Sequence, residues 1–271
     1  MRSNMNRRYL IISLFLIGII IGCNEDTANE PEQDLIYSTE IKELFPVSSG
    51  TSYTFSIDTL NLSTHTFENI GTRIWGIGNK VEDGQYGYFD CSESYNILNN
   101  IKEATSRFRL TNNSVDLYSD SSGISGLIPD SIEVEISLDL DQVFKLIIFP
   151  YNDDSEWNVF NGVANFGTFK FNVFRISGKY SGSENLQLDG FPEIIRTEKF
   201  TYTVVMNIPN ITDPFADYTQ IYDASIWVSP SLGIVKIEGC DMFINPITGG
   251  QFDDADSNKV SRHVLTSLST Q

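Results

Sequence analysis

Histidine, cysteine and positive charge are all scarce in this chain. It has 2 histidines, 3 cysteines, and 18 lysines and arginines against 36 acids, for a formal charge of −18. So few cations exclude a nucleic-acid surface, which needs a basic face against phosphates. His65 and His263 lie about 200 residues apart, and no His-Glu-x-x-His or paired Cys-x-x-Cys spacing supports zinc. No Gly-x-Ser-x-Gly elbow exists; Gly123-Ile124-Ser125-Gly126 falls short of it. Gly76-Ile77-Gly78 opens like a dinucleotide loop but lacks the third glycine and a surrounding βαβ pattern. No cofactor is expected.

Long apolar runs are missing too. The longest, Tyr9 to Gly22, follows Arg2, Arg7 and Arg8 with no acid among them. As a helix it would rise roughly 21 Å, short of a ~30 Å hydrocarbon core. A basic start and a short apolar run describe a secretory signal. The run ends Ile20-Ile21-Gly22-Cys23, which resembles the lipobox of bacterial lipoproteins. The resemblance implies cleavage between Gly22 and Cys23 and a diacylglycerol on the Cys23 thiol. Several acyl chains, at about 0.8 kcal/mol per buried methylene, make stable anchoring. A plain signal peptide with an incidental cysteine is the other reading.

Residues 24–34 are acidic, small and polar, and they lack the apolar content to bury a core. They read as a tether, and an acidic stretch after the lipidated cysteine resembles the surface-export signal of Bacteroidota lipoproteins. The expected organisation is a signal peptide over 1–22, a lipidated tether over 23–40 and one β-rich domain over 41–271. Losing residues 1–22 removes three arginines and no acid, moving the charge to −21. Anionic head groups would repel such a chain, so lipid on Cys23 must do the anchoring. The expected address is the cell envelope, at the outer membrane, on its periplasmic or surface face.

Aromatics are plentiful at 12% and alanine is rare, which favours sheet over helix. Period-2 alternation puts Tyr53, Phe55 and Ile57 on one face of a strand, as it does Phe200, Tyr202, Val204 and Met206, and Tyr222, Ala224, Ile226 and Val228. Ile132, Val134 and Ile136 follow the same rule. Val143 to Phe149 is nearly continuous and reads as a central strand. Phe166 to Ile176 breaks parity near Phe174, which predicts a bulge. Turn signals recur at Asn112-Asn113, Asn152-Asp153-Asp154 and Ser181-Gly182-Ser183. The fold class is all-β: an antiparallel sandwich or open half-barrel of about ten strands, with at most one short helix, over Asp34 to Leu44.

Leu44-Phe45-Pro46-Val47-Ser48-Ser49-Gly50-Thr51-Ser52-Tyr53-Thr54-Phe55 resembles the "FPL..G..W.Y" opening of uncharacterised Bacteroidota-type envelope lipoproteins. Val228-Ser229-Pro230-Ser231-Leu232-Gly233-Ile234-Val235-Lys236 is similar to their "GvGlVk" strand, and Phe149-Pro150 followed by Trp157 to their middle segment. The resemblance implies an all-β domain and carries over no catalytic residue.

After lipidation, Cys91 and Cys240 form an even pair in an oxidising compartment, which predicts a disulfide. It would close a loop of about 150 residues, worth near 5 kcal/mol at most. Two buried free thiols are the alternative. Asp254, Asp256 and Asn258 are the best calcium candidates, but Lys259 and Leu265 stand where an EF-hand loop needs glycine and a bidentate acid. Trp75, Trp157, Tyr86 and Tyr88 would suit a sugar-stacking platform, or the core. Asp26-Thr27-Ala28, Asp58-Thr59-Leu60 and Asp130-Ser131-Ile132 resemble Bacteroidota O-glycosylation sites. The expected function is a non-enzymatic binding or scaffolding lipoprotein with an apolar or glycan ligand. The rival is a secreted hydrolase using paired carboxylates.

Overall fold

Strands follow wherever apolar side chains recur at every second residue. In the computed structural model, residues 41–45, 48–82, 87–118, 137–166, 168–208, 218–230, 232–249 and 259–270 are described. The chain divides into residues 1–36 and 37–271, and every described residue belongs to the second unit. The calcium candidates Asp254, Asp256 and Asn258 lie outside the described residues. So do Gly22, Cys23, Tyr86 and the strand expected around Ile132.

Thirteen strands are described: β1 (Thr51–Asn61), β2 (Thr66–Val81), β3 (Tyr88–Ile97), β4 (Asn100–Leu110), β5 (Ser114–Tyr118), β6 (Ser137–Leu140), β7 (Val143–Ile148), β8 (Glu156–Phe166), β9 (Phe169–Leu186), β10 (Ile195–Ile208), β11 (Tyr218–Ser229), β12 (Gly233–Cys240) and β13 (Val260–Thr270). They form one open antiparallel sheet in the order β6-β8-β9-β10-β11-β12-β13-β1-β2-β3-β4-β5-β7. The expectation of about ten strands was too low. β6 has only four residues, and β4 buries Phe108 but exposes most of its polar length. β6 is too short for the alternation of Leu138 and Leu140 to reveal a strand, and β4 offers no apolar alternation.

The expected faces hold elsewhere. Tyr53, Phe55 and Ile57 are buried, as are Phe200, Tyr202 and Val204. The bulge expected near Phe174 is present, because the β8–β9 register shifts between Gly162 and Val163, opposite Phe174 and Asn172. Gly50 takes φ +85 in the turn entering β1, and Gly233 takes φ +73 where β12 begins. Only glycine enters that region without strain.

β7 was expected at the centre of the sheet and lies at its edge. It is buried all the same, because the two edges of the sheet meet. β6 and β7 are joined by Asp141 and Gln142 alone, yet β6 pairs with β8 and β7 with β5 at the far end of the order. The Asp141 carboxylate accepts the Asn161 backbone N–H at 2.8 Å and so fixes this link to β8. Beyond the link no backbone ladder joins β7 to β8. Side chains close the seam there: Trp157 Nε1 donates to Lys145 O at 2.9 Å, Tyr202 hydroxyl donates to Leu146 O at 2.8 Å, and Phe144 stacks on Phe160 at 4.2 Å.

Among the described residues two helical pieces appear where at most one was expected. Residues 41–44 form a turn that packs Ile41, Leu44 and Phe45 into the core. The second, α1 (Asp241–Ile247), follows β12 directly. Six of its seven residues are buried. Having no solvent face, it shows no amphipathic period, and Pro246 inside it argues against a helix from sequence. Phe243 of α1 packs against Tyr202 of β10 with ring centroids 4.7 Å apart, while the Tyr95 hydroxyl of β3 donates to Thr248 O just past its end. Thus α1 fills the inner face of the curled sheet.

Candidate functional site

Charged residues occupy inward slots at two places, and these are the chemically unusual regions of the domain. The first is sealed inside. Arg73 shares parity with Trp75 and Ile77 on β2, and Glu93 with Cys91 on β3, so both point inward. Arg73 Nε donates to Glu93 Oε2 at 2.8 Å and Nη2 to Oε1 at 3.0 Å, with side-chain exposures of 3% and 0%. Ser106 hydroxyl adds a bond to Glu93 Oε1 at 2.8 Å. Burial pushes the Glu93 carboxyl up, against the pull of the Arg73 guanidinium and the bonds from Arg73 and Ser106. Burial alone would lower Arg73, but Glu93 and Tyr95 together hold it above its usual value. The Arg73 guanidinium also lies 5.0 Å from the Phe55 ring centroid. Gly249, at φ +76, lets the chain after α1 settle on this pair; a Cβ there would meet Thr105 O at 3.0 Å and Glu93 Cγ at 3.2 Å.

At the other end of α1, Asp241 accepts from Ser261 hydroxyl at 2.7 Å and pairs with Lys259 at 3.1 Å. Acid in a first turn suits the helix dipole. His263 sits beside this, 4% exposed, and its Nδ1 has no hydrogen-bond partner. Burial, then the charges of Arg73 and Lys259, hold its pKa well below the ordinary 6.5. His65, by contrast, is exposed in the β1–β2 turn at φ +55.

The disulfide between Cys91 and Cys240 is a correction: both are free and buried. β3 and β12 stand four steps apart in the sheet, roughly 19 Å along it, whereas a bridge needs Cα atoms within about 7 Å. Burial pushes the Cys91 thiol up to about 12 and the Cys240 thiol to about 11, so neither supplies the reactive thiolate.

The stacking platform is corrected as well. Trp75 is 5% exposed and Trp157 9%, so both are core residues. Tyr88 is half-buried and pairs edge-on with Tyr118 at 5.8 Å. Asp58, which opens the Asp58-Thr59-Leu60 tripeptide, is bound by Arg262 at 2.7 Å.

The second region is an open cleft of about 410 Å³ at the other end of the sheet. Among the described residues it is lined by Glu43, Phe149, Pro150, Tyr151, Glu198 and Pro230, with Leu44 behind. Glu198 occupies the inward parity of Phe200 and Tyr202 and is 8% exposed. Its Oε2 accepts from Tyr180 hydroxyl at 2.5 Å and Ser183 hydroxyl at 2.6 Å. Its Oε1 has Arg196 Nη2 at 3.4 Å. Tyr151 packs against Tyr180 at 4.7 Å and edge-on to Phe200 at 5.0 Å. Among the described residues no three His, Cys, Asp or Glu side chains converge as metal ligands. Sequence reasoning named none of Arg73, Glu93 or Glu198. A charge in an apolar parity slot was the available signal.

These features define a class: an all-β protein with one curled antiparallel sheet, a helix buried inside it and a polar cluster sealed beneath that helix. No protein-family model and no curated protein matches the sequence. Among solved structures the chain is similar to a protein described as exported, with a YmcC-like fold, from Bacteroides fragilis NCTC 9343. The identity is 13% over 83% of this chain and 98% of that one, at a TM-score of 0.44. It is also similar to a protein described as a lipoprotein from Parabacteroides distasonis ATCC 8503, at 13% identity, the same coverage and a TM-score of 0.42. The hypothetical lipoprotein YmcC of Escherichia coli K12 matches at 10% identity over 89% of this chain and 98% of that one, with a TM-score of 0.31. Likeness at these levels transfers no residue role and no activity.

Two outcomes test the sealed cluster. Arg73→Met should lower the unfolding free energy by about 3–5 kcal/mol, because it strands a buried carboxylate. Adding Glu93→Leu should recover most of that loss in urea titrations; a double variant no better than the single one would contradict the pairing. For His263 the sign follows from the folded chain keeping it neutral where the unfolded chain binds a proton. Its contribution is therefore full above about 6.5 and falls as pH drops toward the folded value, by at most about 1.4 kcal/mol per pH unit. His263→Phe should flatten the stability profile below pH 6.5, and an unchanged slope would count against this assignment.

Proposed function

We propose that this chain is an exported envelope lipoprotein, held to the outer membrane by lipid on Cys23, whose β domain is a non-enzymatic binding module. The observation that carries the reading is the run Ile20-Ile21-Gly22-Cys23 behind a basic start and a short apolar segment. The charge of the mature chain supports a lipid anchor over a protein surface that adheres to anionic head groups. The pairing of four of the five buried acids among the described residues supports binding over hydrolysis; the fifth, Glu198, lines the cleft, with Arg196 at 3.4 Å and the hydroxyls of Tyr180 and Ser183 on its other oxygen. Glu93 faces Arg73, Asp58 faces Arg262, Asp116 faces Arg109 and Asp241 faces Lys259. Acids neutralised in this way hold the fold together. Glu93, the carboxyl that burial pushes up, is sealed beneath α1 and reaches no cleft.

The anchor is tested by intact mass and membrane fractionation of the full-length chain and Cys23→Ser. The wild type should carry diacylglycerol and sediment with outer membrane, and the variant should lose both. An unlipidated wild type, or a variant that fractionates unchanged, would overturn the proposal.

A further inference from the structure

We infer that the cleft between the helical turn at 41–44 and the start of β10 binds a short saccharide. This rests on the binding-module reading above and names the ligand class and the place.

The cleft of about 410 Å³ has room for roughly two sugar rings, at the lower end of the size of ordinary ligand sites. Its walls are of two kinds. Pro150, Tyr151 and Pro230, backed by the buried Phe149, present apolar, ring-shaped surface suited to the C–H face of a pyranose. Glu43 and Glu198 present carboxylates, which only accept hydrogen bonds when ionised. The ligand must therefore donate.

Both a hydroxyl-rich sugar and an organic cation donate, and the surroundings of Glu198 separate them. Oε2 is filled by Tyr180 and Ser183, so the carboxylate is already oriented. Oε1 is approached by Arg196, whose side chain is 72% exposed and whose 3.4 Å contact is long for a charge-assisted bond. A cation would have to enter beside this guanidinium and compete with it. A hydroxyl can donate to Glu198 and accept from Arg196 at the same time. Donor and acceptor side by side, next to an aromatic wall, match a hydroxyl, which does both, better than an ammonium, which only donates. Tyr151 is braced by Tyr180 and Phe200, so its ring is set before a ligand arrives.

The test is saturation-transfer NMR and calorimetry on purified full-length protein with maltose, cellobiose and N,N′-diacetylchitobiose, and with putrescine in parallel. At least one disaccharide should bind with a dissociation constant on the order of 1 mM, with transfer strongest to its ring C–H protons. Glu198→Gln should weaken it about tenfold and Glu43→Gln measurably less, with circular dichroism confirming that both variants stay folded. Three silent disaccharides, or sugar binding indifferent to both substitutions, would overturn the assignment. So would putrescine binding that both substitutions abolish while the sugars stay silent. Each of these results leaves the Cys23 fractionation experiment untouched, so the two readings fail separately.

Discussion

A sheet of thirteen strands must do something with its two edges, and the chain meets that constraint by running one path along both of them. β6 takes the edge at β8, Asp141 and Gln142 make the crossing, and β7 takes the edge at β5. Unpaired edge strands invite pairing with other chains. Here the edge carbonyls of Lys145 and Leu146 are taken by Trp157 and Tyr202 instead. The seam explains why Phe144, Leu146 and Ile147 of this edge strand are inaccessible while Lys145 stays exposed.

Curling the sheet onto itself creates an inside, and that inside dictates α1. Fully burying side chains such as Met242, Phe243, Ile244 and Ile247 contributes roughly 1.5–3 kcal/mol each. The helix also brings polar ends that need partners. Asp241 meets Ser261 and Lys259 at one end, and Thr248 O meets Tyr95 at the other. The Arg73–Glu93 pair lies under the second end. A buried ion pair is weak evidence of net stability, but breaking it leaves a stranded charge.

The parts of the fold that were legible in the sequence are those governed by parity. Tyr53 to Ile57 and Phe200 to Val204 announce their faces, and the broken parity near Phe174 announces its bulge. What was hidden depends on partners distant in the chain. β4 has Ala104 and Ser106 inward because Gly249 and Glu93 crowd its inner face, so it reads as polar loop. The run from Val143 to Phe149 has the composition of a central strand, and only closure of the seam lets an edge look that way. Cys91 and Cys240 were paired by counting, and sheet order keeps them apart. The sealed cluster and Glu198 were visible in principle, as charges standing in apolar slots beside Trp75, Cys91 and Phe200.

The cleft takes its meaning from this frame, since a seam that holds also holds the aromatic wall behind Tyr151. The most direct measurement is the stability of two insertion variants. A short Gly-Ser insert between Leu98 and Asn99, at a hairpin tip, should cost little, about 0.6 kcal/mol by loop-closure entropy. The same insert between Asp141 and Gln142 should cost several times more and expose β7 amides to hydrogen exchange, because it uncouples both edges at once. Equal losses at the two sites, with β7 still protected, would contradict the account.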